Sequence, residues 1–191
     1  GPHQVANALT ALTSIAAAGH DVLQAAAGLE TLACVPGRLE RVEADHGILG
    51  LVDFMHNTSG QQELLPFLRS LAAERRLILV ISATGERDPG KRFPIGHTAA
   101  TYADIVVVTD DSPYNDDPRL LREAVAEGAH AAQSAHVVVE GDRHRAFEIA
   151  ASHARPGDVL VVAGRGSEQR LVSGDSVRMF DDREELERAL Q

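Results

Sequence analysis

The chain has 191 residues and a formal net charge of −10, with Lys+Arg 18 set against Asp+Glu 28. That excess of acid argues against a nucleic-acid backbone binder, which needs a basic face, and no apolar run approaches the ~20 residues of a membrane span. Hydrophobic residues at 44% and charged residues at 24% describe a globular chain long enough to bury a substantial core. Cys34 is the single cysteine, so an internal disulfide and a Cys-rich metal site are both out of reach, which fits a reducing cytoplasm. Lys91 is the only lysine among the 18 basic residues, a bias that points to a GC-rich bacterial genome. Residues 1–3, Gly1-Pro2-His3, read as the remnant of a cleaved tag on a trimmed, longer protein and are set aside from the fold.

Val5, Leu9, Leu12 and Ala16 repeat along one face of a helix, and Gly19-His20-Asp21 separates it from a second, Ala-rich helix over Val22 to Leu29. Residues 4–34 then read as the helical tail of a preceding domain. Cys34-Val35-Pro36-Gly37 is the expected hinge into a domain over residues 35–191. Beyond it, Arg38 to Ala44 and Ile48 to Phe54 are predicted strands around an Asp45-His46-Gly47 turn. Ser59-Gly60-Gln61-Gln62 has capping-box spacing for a helix presenting Leu64, Phe67, Leu68 and Leu71. Leu77 to Ile81, Ile105 to Val108, His136 to Val139 and Val159 to Ala163 read as strands, the most apolar of them covered on both faces. Asp117-Pro118 should open a helix that stops at Gly128, and Asp142 should cap another through Phe147 and Ile149. A last strand over Val177 to Phe180 and a helix over Asp182 to Leu190 complete the chain. This alternation predicts an α/β domain with a mainly parallel sheet and helices on both faces, preceded by a short helical segment.

Ligands in such sheets sit beyond the carboxyl ends of the strands, so the polar residues after each apolar run are the candidate site. Asp53, Phe54 and His56 follow one run: an acid can accept from ribose, an aromatic can stack on a base, and a histidine can reach a phosphate. The same residues also read as a plain turn, with Asp53 and Asn57 as caps and His56 on the surface. Gly85 to Arg92 sets three cations, Arg87, Lys91 and Arg92, and two glycines at a strand end, which suits a carboxylate or phosphate. Asp110 to Pro118, with Ser112 and Tyr114, is compatible with turn chemistry alone. Gly164-Arg165-Gly166-Ser167-Glu168 lets a backbone approach a ligand closely.

The order of these segments resembles the C-terminal domain of Mur ligases, most closely the MurE type. The carrying segments are Asn7 to Ala11, Val35-Pro36-Gly37-Arg38-Leu39-Glu40, Val52-Asp53-Phe54-Met55-His56, Gly85 to Arg92, Thr109-Asp110-Asp111-Ser112-Pro113-Tyr114, Asp142-Arg143 and Ala163 to Glu168. The resemblance implies a Rossmann-like, three-layer domain that closes over the site of an ATP-dependent amide ligase and presents an amino acid to an acyl phosphate. It implies that ATP and Mg2+ are held by a central domain, and that a UDP-sugar peptide or other carboxylate is the acceptor. No G-x-x-x-x-G-K-[ST] loop occurs here, so this chain alone is expected to be inactive, with no catalytic residue of its own and no metal ligand.

Position by position, the resemblance implies that Arg38, Asp53, Phe54 and His56 serve the nucleotide. It implies that Arg87, with Lys91 in the same loop, holds the amino acid's carboxylate, and that Gly164 and Glu168 meet its amino or distal groups. Ser112 and Tyr114 stand where the family's diaminopimelate motif has Asn and Arg. Arg165 and Ser167 stand for Lys and His in the other amino-acid signature, and Glu86 for Asp. These departures leave open a paralogue acting on another amino acid, with Asp116 and Asp117 favouring an amine-bearing side chain, and a non-catalytic binding or regulatory module. The expectation that ties these residues together is that Arg87, His56 and Glu168 converge on one crevice.

Overall fold

The computed structural model describes residues 2–191, and the side chains from Gln4 onward. The tag-remnant reading of residues 1–3 falls on Gly1 and on the side chains of Pro2 and His3, which lie outside the described residues. The chain divides into two compact units, one ending at Val35 and one spanning Pro36–Gln191.

The first unit is a helical pair, α1 (Pro2–Ala17) and α2 (Val22–Glu30). Asp21 caps α2 by accepting from the amides of Leu23 and Gln24 at 2.8 and 3.2 Å. The apolar residues that gave α1 its periodicity, Val5 and Leu9, are exposed, as are Leu23 and Leu29 of α2.

The second unit holds a six-stranded sheet in the order β1-β2-β6-β3-β4-β5. Its strands are β1 (Glu40–Val42), β2 (Leu49–Asp53), β3 (Leu77–Ile81), β4 (Ile105–Val108), β5 (His136–Val139) and β6 (Val159–Ala163). Only the edge strand β1 runs antiparallel. The continuous apolar runs follow from burial on both faces. Leu77, Leu79 and Ile81 of β3 pack on the face covered by α3 (Thr58–Ala72), α4 (Arg92–Tyr102) and α5 (Pro118–Ala131). Ile78 and Val80 pack on the opposite face with Phe147 of α6 (Arg143–His153) and Leu186 of α7 (Asp182–Ala189). The predicted α/β class is the observed one.

Several expectations are corrected. Asn57, not Ser59, caps α3, its Oδ1 accepting from Gly60 N at 2.8 Å. The helix α5 runs through Gly128 to Ala131, because that glycine serves helix packing: a Cβ there would lie 2.0 Å from the Phe93 carbonyl oxygen of α4. The predicted last strand is Ser176–Met179 (β8), which pairs with β7 (Arg170–Ser173) as a separate hairpin and not with the main sheet. The helix α4 was invisible to periodicity, since its buried residues are mostly small: Gly96, Ala99 and Ala100 beside Ile95.

Candidate functional site at the carboxyl edge of the sheet

His56 follows β2, Glu168 follows β6 and Arg87 follows β3, and these three strands are neighbours in the order β2-β6-β3. The three segments therefore leave the same edge of the sheet side by side.

The β2 segment is a rigid platform. Buried Asp53 uses Oδ2 to accept from Leu39 N and Oδ1 to accept from Met55 N, both at 2.8 Å. These bonds are those of a turn cap, and they lock the 36–40 segment against the strand end. The Arg38 guanidinium lies 4.6 Å over the Phe54 ring, and the His56 ring meets Phe54 edge-on at 4.8 Å. His56 Nδ1 donates to the Phe54 carbonyl at 3.0 Å, which leaves Nε2 as the acceptor, 3.4 Å from Asn57 Nδ2. The edge of this platform is the β6 loop: a Cβ on Gly37 would lie 2.2 Å from Ser167 N, so the two backbones touch.

The β3 segment is clasped to the β4 segment. Gly85 N donates to the Ser112 carbonyl at 2.9 Å, and a Cβ on Gly85 would lie 1.9 Å from the Pro113 oxygen. Asp116 Oδ2 accepts from Glu86 N and from Arg92, both at 3.0 Å. Asp88 caps the short 3-10 turn Pro89–Lys91 through Gly90 N at 2.9 Å. This frame holds up Arg87, which is exposed and has no hydrogen-bond or ion-pair partner among the described residues. Burial, and then the nearby Arg87 charge, push the Lys91 ammonium below its usual range. Two cations held within electrostatic reach of each other form a site that an anion relieves.

The β4 segment departs from expectation. The Ser112 hydroxyl is buried, accepting from Val172 N at 3.1 Å and donating to the Arg170 carbonyl at 3.5 Å. Tyr114 takes a left-handed conformation (φ 53°), and its backbone is stitched to Val172 and Gly174 of the hairpin. Asp116 does not await an amine, because Arg92 and Glu86 N already hold it; Asp117 caps α5 through Arg119 N at 2.8 Å.

Gly164 begins the β6 loop with φ 120° and donates its N–H to the Asp53 carbonyl at 3.1 Å. Glu168 is exposed beyond it. Arg165, expected at the ligand, is fully buried, with Nη1 3.1 Å from Asp111 Oδ1. Arg143 and Asp182, also fully buried, lie beside this pair and were not singled out as site residues. The available signal was two arginines and two acids directly following strand ends and helix caps. Burial raises the Asp111 carboxyl, but Arg143 and Arg165 outweigh it and hold that carboxyl below the usual range.

Among the described residues no group of three or more His, Cys, Asp or Glu side chains is placed to hold a metal ion. No helix is long and apolar enough to cross a membrane.

Residues 37–166 match the Mur ligase, glutamate ligase domain family. The UDP-N-acetylmuramoyl-L-alanyl-D-glutamate--2,6-diaminopimelate ligase of Streptomyces avermitilis is 40% identical over the whole chain, and that of Caulobacter vibrioides is 41% identical. The chain spans 38% of the length of each of these relatives. A solved structure of a ligase of that name superposes with TM-score 0.71 at 28% identity, over 98% of this chain and 38% of that one. The Mycobacterium tuberculosis folylpolyglutamate synthase, complexed with ADP and AMPPCP, superposes with TM-score 0.62 at 29% identity, over 86% of this chain and 38% of that one. On the segments described above and on these matches, the chain belongs to the Mur ligase family and carries its glutamate ligase domain.

Proposed function

We propose that this chain is the amino-acid-presenting and closing domain of a cytoplasmic, ATP-dependent ligase that joins an amino acid to a carboxylate, as in peptidoglycan precursor synthesis. The observation that carries the reading is the unpartnered Arg87 beside Lys91, held on a clasped loop one strand away from Glu168. Arg87 takes the amino acid's carboxylate, with Lys91 adding positive charge, and Glu168 with the Gly164 backbone meets the ammonium end. Arg38, Phe54 and His56 form a stacking and hydrogen-bonding platform for the nucleotide, positioned by Asp53.

In the full reaction the acceptor carboxylate takes the γ-phosphoryl group of ATP, releasing ADP. The deprotonated amine then attacks the acyl carbonyl and phosphate leaves. The present residues bind and orient the amine; ATP, magnesium and the UDP-sugar peptide or other acceptor are assigned to the remainder of the ligase. The chain alone is expected to bind but not to turn over. Calorimetry with amino acids should show weak binding that Arg87→Ala abolishes. Unchanged binding in that variant would overturn the carboxylate role.

A second reading is favoured by one observation. The loop after β4 offers no cation at positions 112–114, Ser112 being spent on the hairpin. An amino acid without a second carboxylate suits that loop better than diaminopimelate does.

A further inference from the structure

All the polar atoms of the Arg165 side chain turn inward. Nη1 donates to Asp111 Oδ1 and to the Arg170 carbonyl, both at 3.1 Å. Nη2 donates to the Glu168 carbonyl at 2.9 Å and to the Phe180 carbonyl at 3.4 Å. Nε stands 3.4 Å from Asp182 Oδ1. The loop after β6 thus curls around its own arginine, and Glu168 N closes the curl by donating to the Arg165 carbonyl at 3.0 Å.

The other end of this cluster reaches the remaining ligand-facing segments. Asp111 Oδ1 also accepts from Ser112 N at 2.6 Å, and Asp111 Oδ2 accepts from the Thr84 hydroxyl at 3.0 Å. Thr84 is the root of the segment that carries Arg87, and Ser112 is the root of the one that carries Tyr114. Arg143 braces the cluster by clasping Asp182 through Nε and Nη2 and by donating to the Asp110 carbonyl at 3.1 Å. A buried guanidinium is tolerated only when acceptors surround it, and its planar fork then fixes the directions of those acceptors. A methionine of similar length has no donor and holds none of them.

We propose that Arg165 is a positioning residue. Without touching the ligand, it sets the placement of Glu168 relative to Arg87, and so the fit to a molecule carrying an ammonium and a carboxylate on one carbon. This inference rests on the amino-acid reading above. It goes beyond it by assigning the spacing of the two contacts to one buried side chain.

The test compares L-alanine with propionate, which keeps the carboxylate and lacks the ammonium, by NMR titration of the amides at Arg87 and Glu168. In the native chain the charge-assisted ammonium contact should favour alanine about tenfold. Arg165→Met, which keeps the length and removes every donor, should bring that ratio close to one while the propionate Kd stays within about twofold, because Arg87 itself is untouched. A folded Arg165→Met chain that keeps the preference would overturn this inference alone. So would equal losses for both ligands, which would indicate general damage. No preference in the native chain would overturn both the amino-acid reading and this inference. Should Arg165→Met fail to fold, Asp111→Asn, which removes the charge facing Arg165, is held to the same outcomes.

Discussion

Arg143 lies flat against Asp182, with Nε 2.8 Å from Oδ1 and Nη2 2.5 Å from Oδ2, and neither side chain is exposed. The first residue of α6 is thereby joined to the first residue of α7 beneath the carboxyl edge of the sheet. A pair this deep is costly to break from one side, because the surviving buried charge loses both bonds of its main partner.

Arg143→Met should therefore destabilise the domain by about 3–5 kcal/mol, the usual range when one partner of a buried pair is removed. Adding Asp182→Leu should recover part of that loss, since both charges are then gone. Urea unfolding of the two single variants and the double variant measures the coupling. Equal stability of Arg143→Met and the native chain would show that the pair is dispensable.

Acid should weaken the fold from a defined side. Burial raises the Asp111 carboxyl, and Arg143, Arg165 and the Ser112 amide together more than offset it; burial likewise raises Asp158, and the bonds from Arg76 and from the Arg155 amide together more than offset it. Both carboxyls lie below their ordinary value of 3.8 in the folded chain. Depressed carboxyls contribute stability above the unfolded value, and that stability is lost as pH falls through the folded one. The urea midpoint should hold steady from neutrality to about pH 5 and drop below about pH 4, less steeply in Asp158→Asn.

Tyr114→Arg tests the amino-acid preference. The position already has a left-handed backbone held by Val172 and Gly174, so the substitution changes the side chain and not the loop. A charge-assisted contact to a second carboxylate is worth about 1.5–3 kcal/mol. Affinity for diaminopimelate relative to alanine should accordingly rise at least tenfold by calorimetry. No change would mean that this loop does not face the distal end of the amino acid.

Much of the fold was legible because the apolar runs are short and continuous. Leu77 to Ile81 and Val159 to Ala163 have the length and apolar continuity of strands buried on both faces, which they are, and the caps Asp117 and Asp142 act as their spacing predicts. The helix α4 escaped because glycine and alanine carry little periodic signal, and Gly128 was misread because close packing and termination both select glycine. At the candidate site, the positions of Asp53 and Arg87 after their strands were legible, and the cap role left open for Asp53 is the one its bonds from Leu39 N and Met55 N fill. The commitments of their neighbours were not: Asp116, Ser112 and Arg165 look available as letters and are engaged in the folded chain.

The sequence by itself determined the parallel α/β architecture, the edge on which the polar segments gather and the family to which they belong. These follow from local pattern and from motif order along the chain. Which of those polar residues meet solvent, and which spend their hydrogen bonds on one another, was decided only in three dimensions. Hydrogen-bonding partners are chosen by proximity in space, and Arg165 and Asp111 stand 54 positions apart in the chain while touching in the fold.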